Sequence, residues 1–246
     1  LLGITTFFTR GFFFPMDATQ YQWFWLGISG VVGFFLGDLF LFKSYTVIGS
    51  RTAQLIMSLS PMLTALIGWF FLDEKLSVKS ILGIVICVTG IIVAISNRNM
   101  KLNIPFKGFL LAFGGALGQA IGLILSKKGI GNYDPVAATQ IRALFGLVCF
   151  VLFITFLGRW KQVASAFSKK SALKSVTVGT FFGPFVGVAL SMFAIQHTKT
   201  GIASTLMALV PVFIIWPSSV MFKEKIRVAQ IIGAFISIAG VSLFFL

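Results

Sequence analysis

Long apolar runs separated by short polar loops make up most of the chain. Runs long enough to cross a membrane lie at 24–46, 51–72, 78–96, 106–126, 136–157, 175–195, 201–222 and 228–246, and a shorter run, 1–14, precedes them. A membrane-spanning helix needs about 20 such residues, and the runs lack the alternation that a membrane β-barrel requires. The pattern predicts an all-α polytopic membrane protein with eight spans and a stub.

The composition supports the same class of protein. Apolar residues make up 57% of the 246 residues and charged residues only 11%, whereas soluble domains contain about 45–50% and about 25%. A disordered chain, a coiled coil, a disulfide scaffold and an ordinary cytosolic enzyme are excluded by these values. We therefore expect an integral, multi-pass protein of the plasma (inner) membrane.

The net charge of +14 does not indicate a nucleic-acid partner. The basic residues lie almost entirely between apolar runs, which is typical of loops that face the cytoplasm and anionic headgroups. The cysteines, Cys87 and Cys149, lie inside apolar runs without a paired spacing, so we interpret them as packing residues. With a single histidine and no Cys-x-x-Cys pair, neither a metal nor a cofactor is expected.

An internal repeat is the most informative feature of the sequence. Shifting the chain by 150 residues aligns two segments without a gap. The matches place Gly33 on Gly183, Gly37 on Gly187, Ala53 on Ala203, Met57 on Met207, Leu59 on Leu209, Pro61 on Pro211, Glu74-Lys75 on Glu224-Lys225, Gly83 on Gly233 and Gly90 on Gly240. We therefore expect two copies, at 1–97 and 105–246, with the first copy incomplete at its N-terminal end.

The second copy contains five apolar runs, and an odd number of spans inverts one copy relative to the other. The sequence thus predicts inverted five-helix repeats, an architecture that recurs in secondary transporters. On this interpretation the first copy lacks one span and most of a second, so the chain is expected to be a fragment of a ten-span protein.

Several of these residues resemble a known family. The stretch from Ser58 through Pro61 to Glu74-Lys75, followed by Gly83 and Gly90, is similar to the EamA module of the drug/metabolite transporter superfamily. The second copy repeats it, and Pro135 through Arg142 resembles the second helix of that module. The resemblance implies a ten-helix transporter with a central cavity that exports small metabolites, amino acids or drugs.

Asp38 is the one acidic residue placed well inside a predicted span. A carboxylate in a membrane usually faces a cavity or a partner, because its insertion costs about 2.5–3.5 kcal/mol. It is a candidate for binding a cationic group or for taking up a coupling proton; pairing with Lys43 near the interface is the alternative. The matching position in the second copy is Val188, so the predicted site is asymmetric.

Pro61 and Pro211 are expected near the middle of their helices. A proline has no backbone N–H, so the carbonyl four residues earlier loses its usual helical partner. In lipid that carbonyl must find another partner or face a polar cavity. Further candidates for substrate binding or coupling are polar residues inside the apolar runs, where amides and hydroxyls either join helices or contact substrate. They are Gln54, Ser58, Gln119, Arg142, Ser204 and Thr205.

Two loop features complete the prediction. Glu74-Lys75 and Glu224-Lys225 are placed in tight turns, where we expect helix capping and local ion pairing rather than catalysis. The basic loop 158–174 predicts an interfacial helix anchored by Trp160.

Other interpretations stay open. Ser29 in a Gly-x-Ser-Gly pattern and His197 would suit an intramembrane protease, and a non-transport membrane subunit is a further alternative. The partners expected for a transporter are the lipid bilayer and a small molecule, with proton coupling and a homodimer as additional possibilities.

The orientation in the membrane also stays open. Thirteen basic residues lie on the loops of one face against six on the other. This bias puts the first face in the cytoplasm, whereas the family resemblance implies the reverse.

Overall fold

The structure is a computed structural model that describes residues 2–95, 105–167, 170–209, 212 and 228–243, and these residues contain no β-strand. Their α-helices are α1 (Leu2–Arg10), α2 (Gln20–Ser29), α3 (Asp38–Met57), α4 (Ser60–Leu72), α5 (Val78–Ile95), α6 (Phe106–Ile130), α7 (Pro135–Phe156), α8 (Trp160–Phe167), α9 (Lys170–Thr180), α10 (Val188–His197), α11 (Thr200–Met207) and α12 (Val228–Ser242). The all-α prediction is confirmed.

Long apolar helices match the predicted spans. Four helices in the described part of the chain are long and apolar enough to cross a membrane, namely Gln20–Ser50, Phe106–Ile130, Pro135–Phe156 and Val176–His197. Shorter apolar helices cover Ser60–Leu72, Val78–Ala94 and Val228–Ser242. The predicted span 201–222 is described only in its first half, and the loop 158–174 contains the expected short helix α8.

Side-chain caps explain where two of the helices begin. Before α2, the Thr19 hydroxyl accepts the Gln22 backbone N–H at 3.3 Å and the Gln22 side chain accepts the Thr19 N–H at 2.8 Å. Before α7, Asp134 accepts the Ala137 N–H at 2.8 Å, and Pro135 follows at the first helical position. Both arrangements satisfy backbone donors that a helix N-terminus leaves without partners.

The described residues form two compact units, and the first comprises Leu1–Phe35 and Leu125–His197. Its central helix is α7, which packs against α1, α2 and α10. The N-terminal half of α7 is buried, from Ala137 through Arg142 to Gly146, whereas Leu152 and Phe156 nearer its C-terminus are 63% and 89% exposed. An apolar, exposed surface of this kind is expected where lipid rather than water is the solvent.

Helix packing in the second unit, Leu36–Ile124 with Thr198–Leu246, depends on glycine. Helices α5 and α12 approach so closely that a Cβ built at Gly90 would lie 2.4 Å from the Ser237 nitrogen, and one at Gly233 would lie 2.4 Å from the Ala94 nitrogen. A side chain larger than hydrogen cannot occupy these positions without separating the helices.

The α5–α12 contact is self-complementary under the 150-residue shift. In one contact Gly90 of α5 lies against Ser237 of α12, and in another Gly240 of α12 lies against Cys87 of α5. The shift places Gly90 on Gly240 and Cys87 on Ser237, so the two contacts are equivalent. The Ser237 hydroxyl also donates to the Cys87 carbonyl at 3.3 Å. Residues that exchange roles in this way lie on either side of a local two-fold axis, and that axis passes between Cys87 and Ser237.

Two π-helical segments also occupy matching positions. They cover Gly30–Gly37, just before α3, and Phe181–Gly187, just before α10. With a shift of 150 residues the two segments coincide over seven residues, because Val31 falls on Phe181 and Gly37 on Gly187.

We predict that Gly90→Ala destabilises the protein, because the added Cβ would overlap backbone atoms of α12. Overpacking of this kind costs about 1–3 kcal/mol, which corresponds to several degrees in melting temperature for a protein of this size. Gly179→Ala is the matched control, since nothing lies within 4 Å of a Cβ built there. Thermal melting in detergent, followed by size-exclusion chromatography, measures both. Equal melting temperatures for the two variants would contradict the described helix contact.

Candidate functional site

The chain breaks its helix between α3 and α4, in the middle of the predicted span 51–72. Helix α3 ends at Met57, and the Ser58 N–H bonds to the Gln54 carbonyl at 3.0 Å. A new helix begins at Ser60 with Pro61 in its first turn. Pro61, expected near the middle of a helix, lies instead in the first turn of α4, after Ser58 and Leu59 interrupt the regular helical hydrogen bonds while their backbone keeps right-handed helical angles. Because Pro61 has no N–H for the Met57 carbonyl, the chain turns here and starts a second helix.

The second copy breaks at the matching position. Helix α11 ends at Met207, and the Ala208 N–H bonds to the Ser204 carbonyl at 3.0 Å. The Leu209 N–H bonds to the Leu206 carbonyl at 3.2 Å, as Leu59 bonds to Ile56 at 3.1 Å in the first copy. Pro211 lies outside the described residues, so its expected role stays a prediction.

A cavity of about 560 Å³ lies at these two breaks, within the second unit. Its lining consists of Leu41, Gln54, Met57, Ser58, Ser60, Pro61, Ile91, Gln119, Leu123, Ser204, Met207 and Ala208. Five candidates from the sequence are thus brought together, namely Gln54, Ser58, Pro61, Gln119 and Ser204. The lining combines hydroxyl and amide groups with aliphatic and thioether side chains, which suits a small molecule that is partly polar and partly apolar.

Asp38 is connected to the cavity through Gln119. The Gln119 Nε2 donates to Asp38 Oδ1 at 2.8 Å, and both side chains are partly buried. An ionised carboxylate only accepts hydrogen bonds, so this contact fixes which end of the Gln119 amide faces Asp38. With Asp38 ionised, the pair is a charge-assisted hydrogen bond, which is stronger than a neutral one.

Other hydrogen bonds hold the cavity-lining side chains in place. Gln54 Nε2 lies 2.6 Å from the Tyr45 hydroxyl, a partner that the sequence analysis missed. Thr64 Oγ1 donates to Ser204 Oγ at 3.2 Å, and both of these residues are buried. Tyr45 lies nine residues before Gln54 across the break at Gly49, where φ is 76°, so no helical spacing in the sequence marks the pair.

Two candidates are not among the residues that line the cavity. Thr205 is fully buried, and its hydroxyl donates to the Gly201 carbonyl of its own helix at 2.7 Å. Arg142 belongs to the first unit and is 3% exposed. Its guanidinium lies 4.4 Å from the centre of the Phe34 ring, and Nη1 is 3.4 Å from the Met192 sulfur. These contacts favour packing roles for both residues.

The pair proposed for a protease, Ser29 and His197, makes separate contacts. Ser29 Oγ lies 2.6 Å from Ser126 Oγ, and His197 Nδ1 lies 2.9 Å from the Phe193 carbonyl one helical turn away. A serine nucleophile requires its base within hydrogen-bond distance. The described contacts therefore give no support to a Ser–His catalytic pair.

Glu74 caps a helix, as expected, but the helix is distant in sequence. Instead of a partner in its own turn, it contacts Thr200 at the start of α11: Glu74 Oε2 accepts both the backbone N–H and the hydroxyl of Thr200 at 2.7 Å. The second member of the motif, Lys75, contributes its backbone carbonyl, which accepts a hydrogen bond from Lys199 Nζ. The matching pair Glu224-Lys225 lies outside the described residues.

Proteins with similar sequences are transporters by name. An uncharacterized transporter of Bacillus subtilis, YxxF, is 33% identical over 144 residues, which are 54% of this chain and 46% of that protein. Another from the same organism, YyaM, is 25% identical over 88% of this chain and 70% of its own length. A probable amino-acid metabolite efflux pump of Salmonella typhimurium is 24% identical over 76% of this chain and 64% of that protein. The chain thus spans about half the length of YxxF.

A solved structure shares the fold. Its chain superposes on this one with a TM-score of 0.76 and 19% identity, covering 99% of this chain and 81% of that chain. At this identity the likeness shows the fold alone.

A family model matches nearly the whole sequence. The EamA-like transporter family matches residues 1–96 and 106–246, which agrees with the resemblance carried by the proline and Glu-Lys motifs. The chain therefore belongs to the EamA-like transporter family and is an integral, multi-pass membrane protein.

Proposed function

We propose that this protein is a secondary transporter that exports a small metabolite, amino acid or drug by alternating access around the cavity. The observation that carries the proposal is the pair of helix breaks, at Ser58–Leu59 and Ala208–Leu209, which border one cavity. Transporters bind their substrates near the membrane midplane at discontinuous helices, where turned backbone offers polar groups to the substrate.

Two inverted repeats, 1–97 and 105–246, provide the moving parts in this proposal. The self-complementary contact between α5 and α12 supports it, as do the π-helical segments and helix breaks at matching positions. Each compact unit contains segments of both repeats, so neither unit corresponds to a single copy.

The lining suggests the chemical class of the substrate. A cavity of about 560 Å³ suits a small molecule. Its serine and glutamine side chains can bind polar groups of a substrate, and Met57, Ile91 and Met207 can contact an apolar part of the same substrate. The names of the efflux-pump relatives point to amino acids and their derivatives. We propose an amphipathic substrate of this size, with its polar end at Gln54, Ser58 and Gln119.

Asp38 is proposed as the coupling group. When ionised it holds the nitrogen end of Gln119 at 2.8 Å. A proton on the carboxyl gives it an O–H donor and weakens it as an acceptor, so the Gln119 amide can reorient in the cavity wall. Proton uptake would in this way change the group that Gln119 presents to the substrate.

We predict that Asp38→Asn lowers export by about tenfold or more, since a hydrogen bond to a charged group contributes about 1.5–3 kcal/mol. The measurement compares extracellular metabolites of cells that express full-length wild type or the variant at equal levels, with an empty vector as baseline. Asp73→Asn is the matched control, because Asp73 is an exposed carboxylate outside the cavity lining.

Repeating the assay across external pH tests coupling. The pH dependence seen with wild type is expected to vanish in Asp38→Asn. Normal export by this variant at every pH would refute the role of Asp38 and leave the transporter proposal in place. If wild type does not differ from the empty vector, the export proposal itself is wrong.

We also predict that Pro61→Ala impairs transport several-fold without lowering thermal stability. Alanine supplies the N–H that proline lacks, so the Met57 carbonyl could accept it and the two helices could join into one. Straightening the chain would remove the turn that borders the cavity. Pro135→Ala at the first position of α7 serves as control, because proline fits that position without loss of a helical hydrogen bond. Unchanged transport by Pro61→Ala would argue against the role of the break.

A further inference from the structure

Glu74 connects two helices that are far apart in sequence. It follows the C-terminus of α4, where Asp73 adopts a left-handed conformation with φ of 52°. The Glu74 N–H bonds back to the Gly68 carbonyl at 3.3 Å, which directs the chain away from α4. From there Glu74 Oε2 accepts two hydrogen bonds from Thr200, each at 2.7 Å.

Thr200 is the first residue of α11, and the residue before it, Lys199, provides no side-chain cap. The first N–H groups of a helix have no partner within it, and a negative charge is stabilising at that end. Glu74 thus replaces the missing local cap from a position 126 residues away in the chain. Lys199 in turn donates from Nζ to the Lys75 carbonyl, which adds a second link between the same two segments.

A seam of close contacts between α4 and α11 extends from this cap to the cavity. Helix α4 runs from the cavity at Ser60 towards Glu74, whereas α11 runs from Thr200 back to the cavity. Between the two ends, a Cβ built at Gly68 would lie 2.7 Å from Thr200 Oγ1, and one at Gly201 would lie 2.8 Å from the Ala65 Cβ. No substrate can pass where two helices approach this closely.

The seam ends at the cavity itself. Thr64 is fully buried and donates to Ser204, which lines the cavity, at 3.2 Å. The contacts from Thr64 to Glu74 therefore form one continuous closure along α4 and α11, with the Glu74–Thr200 pair at its outer end.

We propose that Glu74 and Thr200 form a latch that holds the cavity closed at one membrane face and must break when the cavity opens to that face. The proposal rests on the alternating-access function proposed above. Glu74 acts as a positioning residue, because it fixes the N-terminus of α11 and makes no contact with the cavity.

Cysteine accessibility tests the latch independently of transport. The reporter is Ser60→Cys, which lines the cavity, in full-length protein with Cys87→Ala and Cys149→Ala. A membrane-impermeant maleimide is added to right-side-out or inside-out vesicles, so that each face is labelled separately. The labelling rate of the reporter is compared with and without Glu74→Gln, Thr200→Val, Thr200→Ser and Asp73→Asn.

The proposal predicts faster labelling with Glu74→Gln and Thr200→Val, only from the face that bears residues 73–77. The expected increase is about three- to tenfold, because charge-assisted hydrogen bonds are roughly twice as strong as neutral ones. Thr200→Ser retains both donors and Asp73→Asn removes a neighbouring carboxylate, so both should label like the parent. Size-exclusion profiles identify variants that fail to fold.

Two results would overturn the latch. One is an unchanged labelling rate in Glu74→Gln and Thr200→Val; the other is an equal increase from both faces, which would indicate general loosening. The latch variants are then made in the wild-type background, without the reporter cysteine, and assayed for export. If wild type exports nothing while labelling behaves as predicted, the transport proposal fails and the latch still stands, so the two failures are distinguishable.

Discussion

Backbone polar groups inside a lipid bilayer must find partners within the protein, and this constraint governs the structure. A helix satisfies them automatically, whereas a break in a helix leaves donors and acceptors that only protein or a water-filled cavity can accommodate. The breaks at Ser58–Leu59 and Ala208–Leu209 border one cavity, as the constraint demands. Ser58 lies at one of these breaks, whereas Gln54 and Gln119 line the cavity from within helices α3 and α6.

Two pairs of helices in the second unit pack in different ways. Glycines let α5 and α12 approach until backbone meets backbone, which fixes one pair of helices that cannot slide without clashes. By contrast, α4 and α11 are joined by a few hydrogen bonds and small residues, with Thr64, Ser204 and Thr200 among them. A transporter that follows alternating access needs both kinds of contact, because some helices must move relative to others that stay fixed.

Much of this could be predicted from the sequence, for a physical reason. Polar residues inside apolar runs are costly and therefore rare, so Gln54, Ser58 and Gln119 were visible as candidates without a structure. Thr205 stays a prediction: its hydroxyl donates to the Gly201 carbonyl four residues earlier, as a helical threonine can, and the sequence does not reveal this pairing. The partner of Glu74 could not be found, because a contact across 126 residues leaves no local spacing.

The helix break shows a second limit of sequence reasoning. Proline signals that a backbone donor is missing, but not whether the helix bends or ends; around Pro61 it ends. The matched glycines Gly90 and Gly240 were visible in the sequence only as evidence for the repeat; their place at the close contact of α5 with α12 emerges from the structure.

The self-complementary contact of α5 with α12 has a consequence for the origin of the chain. Because each helix presents to the other the same positions that it receives, the contact does not require a covalent connection between them. Two separate copies of an ancestral module, inserted in opposite orientations, would make it equally well. Joining them in one polypeptide adds effective concentration rather than new packing. A single polypeptide can also carry an acid at Asp38 and Val188 at the matching position, an asymmetry that a dimer of identical chains cannot have.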